Sequence, residues 1–165
     1  MLTNIFTLEK QVLITFIASF LILFMVGGVV YFWMFRKKLV FRQVVIAFIA
    51  MFVAWAISDF LKKYFLTERP FIANGQVPLT LTWPFDPSFP SNHASSAFAL
   101  ALSIRKSDKR LFIVYLLFAL LVSFGRVLSR VHYFVDVFAG ALIGIAVVYI
   151  LEKMGMERFF KKVLT

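Results

Sequence analysis

The segment VLITFIASFLILFMVGGVVYFWM, residues 12–34, decides the class of fold. It contains no charged side chain, and a helix of this length crosses a hydrocarbon core of about 30 Å at a rise of about 1.5 Å per residue. The whole chain of 165 residues is 62% hydrophobic and has a mean hydropathy of +0.90. A water-soluble domain of this length would carry more polar side chains, so the sequence predicts a protein whose solvent is the bilayer.

Four further apolar segments have helical length or composition. They cover about 41–61, Ser91 to near Arg105, about 111–127 and about 133–152. The segment that begins at Ser91 is short and rich in Ala and Ser, which suits close packing between helices. Together the segments predict an all-α, polytopic membrane helix bundle with about five transmembrane helices.

The amino-terminal residues MLTNIFTLEKQVL have neither a basic start nor a small-residue cleavage site. We therefore expect the first apolar segment to be a retained membrane helix rather than a signal peptide. Residues 1–11 are expected to lie outside the membrane or to form a short interfacial helix.

All five prolines lie between residues 70 and 90, which predicts irregular backbone over the connection 62–92. The sequence has no apparent repeat or low-complexity segment, so residues 1–165 are predicted to form a single domain. The chain has no cysteine, which excludes disulfides and thiolate metal sites.

The basic residues are unevenly distributed. Twelve of the 18 lie in three segments, 36–42, 105–110 and 153–162, which five spans would place on one side of the membrane. The positive-inside rule makes that side cytoplasmic. Topology therefore explains the net charge of +10, and no nucleic-acid partner is expected.

Three polar segments fall on the opposite, outer side and hold both histidines of the chain: KKYFLTERP (62–70), FPSNH (89–93) and GRVLSRVHYFVD (125–136). His132 and Asp136 are four residues apart, so on a helix they share a face. A carboxylate there can hold one ring nitrogen and leave the other free as a nucleophile.

The other polar residues of these segments suit a phosphate group. Lys62, Arg69 and Arg126 supply ammonium and guanidinium donors for its oxygens. Ser91 is placed to cap the third helix, whose amino terminus would attract an anion. His93 could donate a proton to a leaving group. The pattern predicts a phosphate-binding site with a nucleophile and an acid.

Each residue taken alone also has a structural interpretation. Lys62 and Lys63 are typical of lysines that extend to the membrane surface, and we expect Lys63 and Arg130 to be headgroup anchors. Asp59 has the helical spacing to pair with either lysine. Asp136 is harder to explain structurally, because a carboxylate near the start of a membrane helix needs a partner or a function. The joint pattern favours catalysis.

Three spacings resemble the motifs of one family. They are Lys-x6-Arg-Pro at 62–70, Pro-Ser-x-His at 90–93 and Arg-x5-His-x3-Asp at 126–136. Over about 41–150 the chain resembles the type-2 phosphatidic acid phosphatase superfamily, membrane lipid phosphatases that share motifs with vanadium haloperoxidases. The resemblance implies an active site at the extracytoplasmic interface of the cell membrane.

The resemblance also implies the residue roles. His132 would attack phosphorus and form a phosphohistidine, Asp136 would orient His132, and His93 would protonate the leaving oxygen and then activate water. The phosphate would be held by Lys62, Arg69, Ser91, Asn92 and Arg126. No metal ion and no cofactor are expected.

Three departures from the family pattern bear on activity. Asn92 replaces the usual glycine and adds a side chain where the backbone approaches the phosphate. Gly125 replaces the usual serine and removes one hydroxyl. Five spans are predicted where six are usual.

Aromatic residues beside the outer segments suit an amphiphilic substrate, although they are also typical of the interfacial belt of membrane proteins. Small members of the family commonly act on polyprenyl diphosphates, so the resemblance favours undecaprenyl diphosphate. Phosphatidylglycerol phosphate, phosphatidic acid and lipid A are the alternatives. The alternative of another class is a catalytically weak phospholipid-binding membrane protein, in which Asn92 marks a degenerate site.

Overall fold

The computed structural model describes residues 2–163, with side chains from residue 8 onward. Its helices, in chain order, are α1 (Leu2–Ser19), α2 (Leu21–Met34), α3 (Phe41–Lys62), α4 (Pro70–Ala73), α5 (Asn92–Ser103), α6 (Lys109–Leu128), α7 (Phe134–Lys153) and α8 (Met156–Val163). Within this range the chain forms no β-strand. The predicted all-α class is confirmed.

Three helices, α3, α6 and α7, are long and apolar enough to cross a membrane, and α1 with α2 would make a fourth span if the bent pair crosses as one. Their bounds lie within a few residues of the predicted segments. Helix α5 has 12 residues, most of them buried among other helices, fewer than the roughly 20 that a lipid-facing span needs. The proline-rich connection is irregular as predicted, with α4 as its helical turn.

The prediction of one continuous helix over 12–34 was wrong. The chain breaks at Phe20, and α1 and α2 meet at a bend of 50°. Neither proline nor glycine lies at the break. Instead, the guanidinium of Arg126 on α6 donates to the backbone oxygen of Ala18 at 3.2 Å. A side chain that occupies a main-chain acceptor is a recognised cause of a kinked helix.

Helix α5 lies at the centre of the bundle and packs against α3, α6 and α7. Its contact with α7 is unusually close because Gly140 and Gly144 face it. A Cβ at Gly140 would lie 2.5 Å from the backbone oxygen of Ser91, and one at Gly144 would lie 2.3 Å from that of Ser95. The two helix backbones therefore touch, which fixes the amino terminus of α5 beside the first turns of α7.

The two ends of the bundle differ in chemistry. The carboxyl ends of α3 and α6 meet the amino ends of α5 and α7 at the end that carries the three polar segments. At the opposite, basic end, ion pairs join Lys38 to Asp108 at 3.1 Å, Arg105 to Glu152 at 2.6 Å and Arg42 to Glu157 at 3.7 Å.

Candidate active site

A cavity of about 410 Å³ opens at the polar end of the bundle. Six of the residues predicted for the site line it: Lys62, Arg69, Asn92, His93, Arg126 and His132. The other two, Ser91 and Asp136, are fully buried behind this lining. The structure thus gathers the three motifs around one cavity.

His132 lies in the short connection between α6 and α7 and is almost completely buried. Its Nδ1 is 3.4 Å from Oδ2 of Asp136, in the first turn of α7. The same carboxylate oxygen accepts the backbone N–H of Tyr133 at 2.8 Å. With this one oxygen, Asp136 therefore caps the amino terminus of α7 and orients the imidazole of His132.

The other ring nitrogen of His132, Nε2, lies 3.4 Å from Nη1 of Arg69. A guanidinium can only donate, so Nε2 must be the unprotonated nitrogen and Nδ1 must carry the hydrogen toward Asp136. This assignment leaves the Nε2 lone pair on the side of the cations that line the cavity.

Burial lowers the pKa of His132 well below its ordinary value, and the charges of Arg126, Arg69 and Lys62 lower it further. The charge of Asp86 opposes this shift without reversing it. The imidazole is therefore neutral at physiological pH, as a nucleophile must be.

Arg69 lies at the amino terminus of α4, where the following proline occupies a favourable first helical position. Its Nη1 donates to the backbone oxygen of Val131 at 2.7 Å, and its Nε donates to that of Asp86 at 2.8 Å. Arg69 thus connects the proline-rich loop to the segment that carries His132.

Lys62 ends α3, and its ammonium group forms an ion pair with Oδ2 of Asp86 at 2.9 Å. It also donates to the backbone oxygen of Pro87. Asp59 has the helical spacing to pair with Lys62 or Lys63, but the contact that the structure shows is a hydrogen bond that its carboxylate accepts from the side chain of Asn92 at 3.4 Å, because α5 brings that amide against α3.

Arg126 is buried near the end of α6, and among the described residues its Nε has no hydrogen-bond partner. The absence of a side chain at the preceding residue, Gly125, has a steric explanation. A Cβ at Gly125 would lie 2.7 Å from the side chain of Ile17 and 3.1 Å from the backbone nitrogen of Ala18. The serine usual in the family would therefore collide with α1 at this position.

The amino terminus of α5 brings the second motif to the cavity. Ser91 caps the helix, its Oγ accepting from the backbone of Ala94 at 3.5 Å. Its own N–H donates to the backbone oxygen of Asp136 at 3.0 Å, which ties α5 to α7. The first backbone N–H groups of a helix have no intrahelical acceptor, so those of Asn92 and His93 suit an anion.

Sequence reasoning did not identify Asp86, which lines the cavity and pairs with two of its cations. A carboxylate a few residues before the Pro-Ser-x-His motif was the available signal. The apolar part of the lining was also missed, and it includes Phe20, Ile22, Leu23 and Trp55. The first three come from the α1–α2 bend, which the sequence did not predict.

In the part of the chain that the structure describes, no group of three or more His, Asp or Glu side chains is arranged to hold a metal ion. The predicted independence from metals stays a prediction.

The site combines a buried His–Asp pair, a second histidine and three cations around one cavity of a multi-pass helical membrane protein. These features together are typical of one class of membrane phosphatases. The chain belongs to the PAP2 superfamily, whose family profile matches residues 43–159.

Three curated relatives are similar to this chain. The bacitracin transport permease protein BcrC of Bacillus licheniformis is 31% identical over 130 residues, 79% of this chain and 64% of that protein. The undecaprenyl-diphosphatase BcrC of Bacillus subtilis (strain 168) is 26% identical over 115 residues, 70% and 59% of the two chains. An undecaprenyl-diphosphatase of Sulfolobus acidocaldarius is 34% identical over 108 residues, 62% and 51%. The matches thus span between half and two thirds of these relatives.

Two crystal structures share the fold. LpxE of Aquifex aeolicus superposes with a TM-score of 0.68 at 28% identity, covering 88% of this chain and 84% of that one. The PAP2-type phosphatidylglycerolphosphate phosphatase of Bacillus subtilis gives a TM-score of 0.61 at 22% identity, covering 90% and 76%. The second similarity concerns the fold alone.

Proposed function

We propose that this protein is an integral membrane lipid phosphatase that works through a phosphohistidine intermediate. The observation that carries the proposal is the placement of His132 between Asp136 and Arg69. One ring nitrogen is held by a carboxylate, and the other faces a cavity lined by cations.

In the first step, Nε2 of His132 attacks the phosphorus of the substrate, and the bond from phosphorus to the leaving oxygen breaks. His93 donates a proton to that oxygen as it departs. The imidazole becomes positively charged, and the carboxylate of Asp136 stabilises it through Nδ1–H.

In the second step, the now neutral His93 takes a proton from a water molecule, whose oxygen attacks the phosphorus. The phosphorus–nitrogen bond breaks, inorganic phosphate leaves, and His132 returns to its neutral state. His93 is left protonated, and the anionic phosphate of the next substrate stabilises that charge among the surrounding cations.

The phosphate oxygens would be held by Lys62, Arg69, Arg126, the amino terminus of α5 with Asn92, and the hydroxyl of Ser91. In this structure Ser91 acts as a helix cap, so a direct contact would require its hydroxyl to turn. Fixed cationic donors stabilise charge that develops in a transition state, so we propose that no metal ion is needed.

The substrate that we favour is undecaprenyl diphosphate, cleaved to undecaprenyl phosphate. Two relatives are named undecaprenyl-diphosphatase. The cavity also combines a cationic part with an apolar wall that includes Phe20, Leu23 and Trp55, which suits a charged headgroup on a lipid chain. Phosphatidylglycerol phosphate, phosphatidic acid and lipid A share this chemistry and belong in the same test.

We further propose that the helices cross the cell membrane as about five spans, with α5 as a short central one and the site facing outward. The separation of the two ends of the bundle supports this topology. The basic segments and their ion pairs occupy the end opposite the cavity, as the positive-inside rule requires of a cytoplasmic face.

Phosphate release by purified protein in detergent, with EDTA present, tests the function. Undecaprenyl diphosphate, phosphatidylglycerol phosphate, phosphatidic acid and lipid A would be compared for wild type, His132→Ala and Lys63→Ala. We expect release by wild type and Lys63→Ala and none by His132→Ala, since Lys63 is exposed and lies outside the cavity lining. Lipid binding without release would favour the phospholipid-binding alternative.

A further inference from the structure

A carboxylate occupies the position where the phosphate of the substrate is proposed to bind. Oδ2 of Asp86 lies 2.9 Å from Nζ of Lys62, and its Oδ1 lies 3.0 Å from Nη2 of Arg69. Each carboxylate oxygen thus forms an ion pair with one cation, as two oxygens of a phosphate would.

The members of this cluster differ in exposure. The side chains of Lys62 and Arg69 are only 4% and 3% exposed, whereas that of Asp86 is 48% exposed. Asp86 therefore covers the two cations from the open side of the cavity, which it helps to line. A phosphate that reaches Lys62 and Arg69 from that side meets the carboxylate first.

We propose that Asp86 is a tethered anion that competes with phosphate groups for Lys62 and Arg69, weakens their binding and promotes release of inorganic phosphate. This inference rests on the proposed function in taking the two cations as phosphate ligands.

The main chain around Asp86 supports displacement of its side chain. Arg69 donates to the backbone oxygen of Asp86 at 2.8 Å, and Lys62 donates to that of Pro87. These bonds do not involve the carboxylate, so both cations keep main-chain partners when it rotates away. The carboxylate of Asp86 is half-exposed, so water can solvate it once it leaves the two buried cations, and a phosphate with two oxygens can take its place.

A purely structural role for Asp86 makes the opposite prediction. If the carboxylate only aligned the two cations, its removal would disorder them and weaken phosphate binding. A competing anion, when removed, leaves the cations unneutralised and strengthens phosphate binding. The sign of the change in affinity therefore separates the two roles.

The test is the dissociation constant of inorganic phosphate, measured by titration calorimetry on the purified full chain in detergent. We expect Asp86→Asn to lower this dissociation constant by about five- to tenfold, because the variant lacks the carboxylate that competes for both cations. Glu68→Gln is the matched control, because it removes one exposed negative charge from the same proline-rich connection between α3 and α5 but lies outside the cavity lining. It should change the constant less than about twofold, as expected of a screened surface charge.

An unchanged or raised dissociation constant in Asp86→Asn would overturn the proposal, as would an equal effect of Glu68→Gln. Absence of phosphate binding by both wild type and Asp86→Asn would overturn it too. If Asp86→Asn does not fold, Asp86→Ser is measured with the same criteria.

Hydrolysis of undecaprenyl diphosphate by the same preparations separates the role of Asp86 from the proposed function. Tighter phosphate binding by Asp86→Asn together with no hydrolysis would contradict the proposed function alone. Hydrolysis without tighter phosphate binding by Asp86→Asn would contradict the role of Asp86 alone.

Discussion

Asp136 and His132 are four residues apart, and Oδ2 of Asp136 lies 3.4 Å from Nδ1 of His132. The same oxygen is fixed by the backbone N–H of Tyr133 at 2.8 Å. The carboxylate is therefore anchored to the start of α7 and can hold the imidazole in one tautomer throughout a reaction cycle.

Asp136→Asn should lower kcat by about 10²- to 10⁴-fold with little change in KM, because an amide can present its NH₂ group to Nδ1 and place the ring hydrogen on the attacking nitrogen. Steady-state phosphate release measures both constants. A loss confined to KM would contradict the orienting role.

Arg126→Lys should lower kcat/KM by about 10²-fold even though the charge is kept, because a lysine lacks the planar fork that reaches both Ala18 and a phosphate. Arg130→Lys is the matched control. Arg130 lies outside the cavity lining and donates to the backbone oxygen of Val77 at 3.3 Å. Equal losses in the two variants would show that Arg126 has no special role.

The sequence predicted most helices because their signal is local. Long apolar runs define α3, α6 and α7 whatever surrounds them. The motif spacings likewise identified His132, His93 and the three cations that the fold brings together. Each motif combines a helix end with a few adjoining residues, so its geometry follows from its sequence.

The unpredicted features depend on contacts between distant segments. The bend at Phe20 carries no proline or glycine signal and coincides with the hydrogen bond from Arg126 to Ala18, more than a hundred residues apart. Asp86 belongs to no spacing motif, and its position depends on the path of the loop between Arg69 and α5. The periodicity of apolar residues along the sequence gives no information about contacts between such distant segments.

Gly140→Ala should destabilise the protein, because its Cβ would lie 2.5 Å from the backbone oxygen of Ser91 and the two helices would have to separate. We expect a cost of about 1–3 kcal/mol, typical of overpacking. Gly27→Ala is the control, since a Cβ there meets nothing within 4 Å. Thermal unfolding in detergent should show a lower midpoint for Gly140→Ala only.

The pH profile follows from the lowered pKa of His132, which is due to burial and to the nearby charges of Arg126, Arg69 and Lys62. The folded pKa lies below the ordinary value of about 6.5, so the neutral nucleophile persists as pH falls through that value. The acid limb of kcat/KM, corrected for the titration of the substrate, should lie below pH 6.5. The imidazole of His132 should also lower the free energy of unfolding as pH falls from about 6.5 toward its folded pKa. Over that range the imidazole takes up a proton only in the unfolded chain. An acid limb at or above 6.5 would contradict this assignment.

The most direct test of the central claim is to trap the phosphoenzyme. Protein mixed with undecaprenyl diphosphate labelled in its terminal phosphate is quenched in alkali, and the label bound to protein is mapped by peptide. Wild type and Lys63→Ala should carry alkali-stable, acid-labile label on the peptide that contains His132. His93→Ala should retain that label longer, because it lacks the group that activates water. His132→Ala should carry none. Label that persists in His132→Ala, or that maps to another residue, would contradict the account.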